Sequence, residues 1–275
     1  MKKILITGES SYIGKEFKNW INYKFPILFQ VDCISIRDNK WRKVSFSEYD
    51  VILHLAAIVH KKETPDMEEL YNQVNCNLTI DLAKKAKVEG VNQFIFMSTM
   101  AVYGEVGEIK KVKIIDENTK PAPSTLYGRS KFTAENRLKD LISDKFKIAI
   151  IRPPMIYGPN CPGNYSKLIY LAERVPIFPL INNQRSMLHI NNLNDLLFNM
   201  INDESEGIFF PQDEEYINTS ILVKSLAEKN GKNLVLSRSL GRLIEIFGFK
   251  VNLINKVFGN LVYEKKYRKR SIYEK

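Results

Sequence analysis

Tyr127 and Lys131 lie four residues apart in the stretch Tyr127-Gly128-Arg129-Ser130-Lys131, and the surrounding spacing predicts a helix. One turn apart on a single helical face, a phenol and an ammonium address the same substrate atom. The chemistry this allows is proton transfer. A tyrosine with its ordinary pKa of about 10 is a poor base at neutral pH, and a nearby ammonium favours the phenolate. Upstream, Ser98-Thr99-Met100-Ala101-Val102-Tyr103-Gly104 offers the Thr99 hydroxyl to hold a reacting alcohol or carbonyl in line, with Ser98 beside it if the register differs by one. A Tyr-x-x-x-Lys pair occurs by chance in many chains, so its meaning depends on the elements that carry it.

Those elements alternate. Lys3 to Thr7 reads as a short apolar strand, followed by Gly8-Glu9-Ser10-Ser11-Tyr12-Ile13-Gly14 and by helical spacing from Lys15 to Ile21. In a strand, glycine turn and helix the helix N-terminus faces a dinucleotide pyrophosphate. Ser11 replaces the middle glycine of the usual pattern, where its Cβ opens the loop slightly or its hydroxyl adds a contact. Phe29 to Asp38 reads as the second strand, and the residue just beyond such a strand selects the cofactor: an acid bonds a ribose 2′-hydroxyl, an arginine accepts a 2′-phosphate. Asp32 has the customary distance from Gly14, but alternation places it inside the strand; Arg37 sits where the strand should end. This favours NADP(H) and leaves NAD(H) open.

Asp50 to Ala57 reads as a buried strand in which His54 is a packed core histidine, and Ala56 and Ala57 are small enough for a cofactor to lie close. A long amphipathic helix is expected from Met67 to Val88, carrying Asn75, and then a strand from Gln93 to Ser98 that ends at Thr99. The pattern predicts an α/β chain: a Rossmann-type doubly wound parallel sheet with ligands at the carboxyl ends of its strands. Residues 1–155 are expected to form the dinucleotide-binding domain, and residues 156–275 a smaller C-terminal substrate-binding lobe interleaved with the last elements of the sheet.

With 275 residues and 44% apolar content the chain is long enough for one large core and a smaller lobe. No apolar run approaches the roughly 20 residues that span a bilayer, and the strand pattern at the N-terminus leaves no room for a signal peptide, so a cytoplasmic protein is expected. Cys33, Cys76 and Cys161 are scattered, which fits a reducing compartment and no metal site. Of the net charge of +10, +8 falls between Lys232 and Lys275, where eleven basic residues face three acidic ones. No nucleic-acid motif accompanies this charge. A solvated basic tail is the plain reading, and weak contact of the Phe-bearing 240–270 segment with an anionic membrane surface is the alternative.

The segments Thr7 to Gly14, His54-Leu55-Ala56-Ala57, Val74-Asn75-Cys76-Asn77-Leu78, Ser98 to Gly104, Tyr127 to Lys131 and Arg152-Pro153-Pro154-Met155-Ile156-Tyr157-Gly158-Pro159 occur in an order and spacing that are jointly specific. Over about Lys2 to Asp195 the chain resembles the extended short-chain dehydrogenase/reductase family, in its nucleotide-sugar epimerase/dehydratase branch. The resemblance implies that Tyr127 is the acid/base, that Lys131 holds the nicotinamide ribose and lowers the tyrosine pKa, and that Thr99 orients the substrate oxygen. It implies cofactor contacts from Gly8, Ser11, Tyr12, Ile13, Gly14, Leu55, Ala56, Ala57, Asn75, Ser98 and Pro154, with Asp32 or Arg37 at the ribose. It also implies that Asn164, alternatively a helix cap, and Arg185 meet the diphosphate of a nucleotide sugar, expected to be UDP-linked, and that the chain forms a homodimer through the helices 67–88 and 127–141.

Within that branch the chain is most similar to UDP-sugar 4-epimerases and 4-ketoreductases. The best reading is a reductase of a nucleotide-linked 4-keto sugar in surface-polysaccharide precursor synthesis, with a UDP-hexose 4-epimerase as the alternative. A dehydratase is disfavoured, because relatives carry acids after the threonine where this chain has Met100 and Ala101. From a different class, a non-catalytic NAD(P)-binding sensor is not excluded by fold. The Arg-x-Gly-Asp-like turn that relatives place near the C-terminus is missing, which leaves the nucleotide pocket more open or closed by the segment around Arg268 and Arg270.

Overall fold

The first strand, β1 (Lys2–Thr7), is apolar on both faces over Ile4 to Ile6 because it lies inside a sheet, with a parallel strand on either side. The structure, a computed structural model, describes residues 1–59, 63–104, 106–248, 251–266 and 271–272. After β1 come α1 (Tyr12–Lys24), β2 (Phe29–Ile34) and β3 (Val51–His54). The expected long helix is a helical run with a change of pitch: Pro65–Met67 is 3-10, α2 is Glu68–Tyr71, Asn72–Asn77 is a π turn and α3 is Leu78–Val88. The wide π turn is the difference from a uniform amphipathic helix, and such turns recur at functional sites.

The chain continues through β4 (Gln93–Met97), β5 (Lys113–Ile115), α4 (Leu126–Lys139) and β6 (Lys147–Ile151). Then follow β7 (Met155–Tyr157), α5 (Asn164–Arg174), β8 (Ile177–Pro179), β9 (Met187–His189), α6 (Ile190–Asn202), β10 (Gly207–Phe209) and α7 (Thr219–Lys229). The last described elements are β11 (Val235–Ser237), α8 (Arg238–Phe247), α9 (Asn252–Phe258), β12 (Leu261–Tyr263) and β13 (Ser271–Ile272).

Six strands run parallel in the order β2-β1-β3-β4-β6-β10, and β13 closes the edge antiparallel to β10. This is the expected doubly wound sheet, completed by a strand from the second half of the sequence. Alternation sends Leu5, Ile52, Phe94 and Phe96 to one face, under α3 and α4, and Ile4, Ile6, Val51 and Leu53 to the other, under α1 and α6. A third apolar cluster, including Tyr165, Leu168, Phe178, Val223 and Phe258, packs elements of the second half of the chain against one another and against Ile109. The chain leaves β1 toward β2 on one side and returns to β3 on the other, so the loops after β1 and β3 diverge and open the cleft where such sheets bind ligands.

Candidate active site

The loop after β1 needs glycine at position 8. Its φ is +92°, and a Cβ there would come within 3.0 Å of the Ala56 nitrogen across the cleft. The hydroxyl of Ser11 caps α1 by accepting the N–H of Gly14 at 3.1 Å, so of the two readings of Ser11 the structure gives a hydroxyl used inside the loop. Gly8 lies against Ala56 and Gly14 against Leu55, so the loop after β3 runs close to the start of α1, where a helix N-terminus favours an anion. The Tyr12 hydroxyl, one residue on, is buried with no hydrogen-bond partner among the described residues, and burial raises its pKa. A glycine loop in contact with Ala56 beneath a helix N-terminus fits the pyrophosphate of a dinucleotide.

The two candidates for its ribose behave differently. β2 ends at Ile34, so Asp32 lies inside the strand, where its carboxylate accepts hydrogen bonds from Gln30 Nε2 at 3.1 Å and the Tyr49 hydroxyl at 3.2 Å. Burial and that carboxylate push the Tyr49 pKa up to about 12. Arg37 is exposed beyond the strand, and its Nη2 donates to Ser10 Oγ of the glycine loop at 3.2 Å.

Thr99 leaves β4 at the carboxyl edge of the sheet and takes extended backbone angles, its hydroxyl accepting the Ala101 N–H at 3.1 Å. The same turn is fastened by Met100 N–H donating to the Pro153 carbonyl at 2.9 Å, next to the buried Pro154. Opposite, α4 is capped by Thr125, which accepts the Gly128 N–H at 3.0 Å. A residue that sequence reasoning missed adds to this end: the Glu63 carboxylate accepts the N–H groups of Leu126 at 2.8 Å and Tyr127 at 3.0 Å. A carboxylate at a helix N-terminus is stabilising. It fixes the turn that presents Tyr127.

The Tyr127 phenol lies beside the Thr99 side chain, which brings two of the predicted catalytic groups together. Burial lifts its pKa to about 12, opposed by Thr99 and supported by the nearby Tyr71. Lys131 is buried one turn along α4, its Nζ donating to the Met97 carbonyl at 2.8 Å and lying 4.4 Å from the centre of the Phe96 ring. Burial lowers its pKa to about 7, with Glu135 pulling the other way. The expected downward pull of Lys131 on the phenol is therefore not what this geometry produces: desolvation dominates both groups, and the ammonium is turned toward a backbone carbonyl.

Ser98, expected on the cofactor side, is buried and donates its hydroxyl to Glu135 instead. Glu135, a further turn along the Tyr127–Lys131 stripe, pairs with buried Arg152 through Nε at 3.1 and 3.2 Å and Nη2 at 2.6 Å. Arg152 also donates to the Tyr103 hydroxyl at 2.8 Å, and its carbonyl accepts the Tyr263 hydroxyl at 2.8 Å. A charged residue eight places after Tyr127 on one stripe was the available signal for this network.

Asn75 sits on the π turn, fully buried, with both ends of its amide engaged. Its Oδ1 accepts the Ile58 N–H at 2.7 Å, and its Nδ2 donates to the Ile58 carbonyl and to Ser130 Oγ, each at 3.1 Å. The side chain thus ties the loop after β3 to α4. His54 is the core histidine anticipated: it hydrogen-bonds Thr7 Oγ1 at 2.6 Å and Thr79 Oγ1 at 2.9 Å, and burial holds its pKa well below the usual range.

On the lobe side, Asn164 opens α5 and is exposed, while the capping position belongs to Gly163, so the capping alternative is not realised. Arg185 is half-buried and its Nη1 donates to the carbonyls of Lys256 at 3.0 Å and Gly259 at 3.1 Å at the end of α9. Arg268 and Arg270 lie outside the described residues.

A glycine loop and helix N-terminus at the switch point, with a hydroxyl, a phenol and an amine on the adjoining strand and helix, fit a nicotinamide-dependent enzyme. Residues 4–209 match the model of the NAD dependent epimerase/dehydratase family, and the chain belongs to that family. It is 29% identical over 283 residues to a UDP-glucose 4-epimerase of Vibrio cholerae, covering 94% of this chain and 83% of that protein. In fold it is similar to dTDP-4-dehydrorhamnose reductase from Bacillus anthracis in complex with NADP, with TM-score 0.68, 17% identity and coverage of 96% and 91% of the two chains. It is equally similar to UDP-glucuronic acid 4-epimerase from Bacillus cereus in complex with NAD, with TM-score 0.67, 19% identity and coverage of 97% and 98%.

Proposed function

We propose that the chain reduces a nucleotide-linked 4-keto sugar, with NADP(H) as its nicotinamide cofactor. The observation that carries the direction is the burial of Tyr127 beside the Thr99 hydroxyl. Burial favours the protonated phenol, which is suited to donate a proton to a ketone oxygen. Arg37 supports the cofactor choice, because a guanidinium at the glycine loop matches a 2′-phosphate, while one oxygen of the Asp32 carboxylate, Oδ2, already accepts from both Gln30 and Tyr49.

The nicotinamide, when bound, supplies the hydride; the chain supplies position and the proton. The glycine loop and the start of α1 hold the pyrophosphate. Thr99 and Tyr127 grip the C4 oxygen from two sides, and Tyr127 gives up its proton as charge develops there. Lys131, one turn away and held by the Met97 carbonyl, would grip the nicotinamide ribose, its proton affinity sustained by Glu135. Arg185 has three N–H groups besides those on Nη1 with which to meet a diphosphate, and Asn164 stands at the helix end facing solvent for the same ligand.

The second reading, a UDP-hexose 4-epimerase, is favoured by the similarity to the Vibrio cholerae protein. The deciding experiment identifies any nicotinamide nucleotide released on denaturation, then titrates the stripped protein with NADPH and NADH and supplies a nucleotide-linked 4-keto-6-deoxy sugar. Consumption of NADPH, abolished in Tyr127→Phe with NADPH binding intact, is the expected result. Tightly retained NAD, with interconversion of UDP-glucose and UDP-galactose and no net NADPH consumption, would establish the epimerase in its place.

A further inference from the structure

The helix α8 has two apolar stripes, and the fold uses one. Gly241, Ile244 and Gly248 recur on the side that closes against the lobe, so tightly that a Cβ at Gly241 would fall 2.0 Å from the Leu180 carbonyl oxygen. On another side Leu240, Leu243 and Phe247 recur at helical spacing with Ile246 alongside, and all four are exposed, Phe247 by 71%. Val251 and Leu253, at the start of α9, are exposed as well, Leu253 by 72%. Six of the nineteen exposed large apolar residues among those described thus lie within Leu240 to Leu253, a clustering that scattered surface residues do not produce.

Charge selects what covers this face. Arg238 and Arg242 are exposed one turn apart on the flank of α8 away from Leu240 and Phe247, where they line a groove with Glu245, the one acidic residue on α8, and Lys256 is exposed on α9. A second copy of the chain would bring these cations against their own kind, whereas an anionic surface would neutralise them.

We propose that α8 and the start of α9 form an in-plane amphipathic anchor for the surface of a membrane containing anionic phospholipid. The apolar stripe enters the boundary between headgroups and acyl chains, and Arg238, Arg242 and Lys256 meet the lipid phosphates. Because Arg185 donates to the backbone at the end of α9, the anchor is joined to the lobe side of the cleft, so docking holds the site close to the membrane surface. The proposal does not depend on which sugar the site takes.

The test is sedimentation of the full chain with vesicles of phosphatidylcholine alone and of phosphatidylcholine mixed with phosphatidylglycerol. Partitioning is expected into the anionic vesicles, weakened by added salt. Arg238→Gln with Arg242→Gln should lower it roughly thirty-fold, from the loss of two surface-bound cations. Leu243→Ser with Phe247→Ser should also abolish it while NADPH binding, which reports on the fold, is unchanged. No partitioning into anionic vesicles, or partitioning that neither pair of substitutions alters, overturns the proposal. So does self-association of the wild-type chain without vesicle binding that Phe247→Ser disrupts, because a second copy would then be the occupant.

Discussion

Replacing Glu135 by Gln should be among the most destabilising conservative changes in this chain. Glu135 and Arg152 have side chains 0% and 1% exposed, and three contacts of 2.6 to 3.2 Å join them. The substitution keeps the volume and removes the charge, leaving a buried guanidinium with the Tyr103 hydroxyl and no counter-ion. Breaking a buried pair in this way costs about 3–5 kcal/mol, a large part of the 5–15 kcal/mol typical of a folded protein. At about 2–4 °C per kcal/mol for chains of this size, the melting temperature should fall by roughly 6–20 °C. Urea unfolding of the two proteins reads the difference directly, with the slope checked for constancy. A double-mutant cycle with Arg152→Met should show a coupling of at least about 1 kcal/mol, since the variant lacking both charges no longer buries an unpaired one. A loss below about 1 kcal/mol in Glu135→Gln, or an uncoupled cycle, would refute the reasoning that the pair is electrostatically closed. The same variant removes the group that sustains the proton on Lys131, so the Lys131 pKa should fall further below 7.

Lys131→Met tests the buried amine. Because the folded pKa is depressed to about 7 from 10.5, the unfolded chain binds the extra proton across that window, so stability rises with pH between these values and the full penalty is present below 7. Lys131→Met should therefore gain stability relative to wild type at pH 6 compared with pH 10, by on the order of 4 kcal/mol at most; a pH-independent difference in urea midpoints contradicts the assigned burial. Arg37→Ala should weaken NADPH by roughly 10- to 100-fold, the worth of a charged hydrogen bond, while changing NADH little; calorimetry showing equal losses for both rules out a role at the 2′-phosphate. Asn75→Ala should cost about 1–3 kcal/mol in urea unfolding, because it removes the tie between the loop after β3 and α4; an unchanged midpoint shows that the tie is dispensable.

Several elements of this molecule were legible in the sequence because they depend on neighbours a few residues away. Lys3 to Thr7, the glycines at positions 8 and 14 and the helical spacing after them specify a strand, a turn and a helix, and the structure has all three. Tyr127 and Lys131 share a face because a helix returns every turn, and His54 reads as core because its flanks are apolar. The π turn at Asn72–Asn77 was not legible, since one widened turn leaves the apolar pattern of the helix almost unchanged.

Tertiary structure decided what those residues do. Glu63 reaches the start of α4 across more than sixty residues, Arg37 folds back onto Ser10, and Arg185 binds the end of α9; no spacing rule encodes such contacts. Ser98 and Thr99 are adjacent, yet extended backbone turns one inward to Glu135 and the other outward to Tyr127. The ionisation of the proposed catalytic pair follows the same division. The sequence by itself determined that a phenol and an amine stand one turn apart, because that distance is set by covalent geometry and local hydrogen bonds. Only the packed structure decided that burial raises one pKa and lowers the other, because desolvation is a property of everything within several ångströms, wherever it lies in the chain.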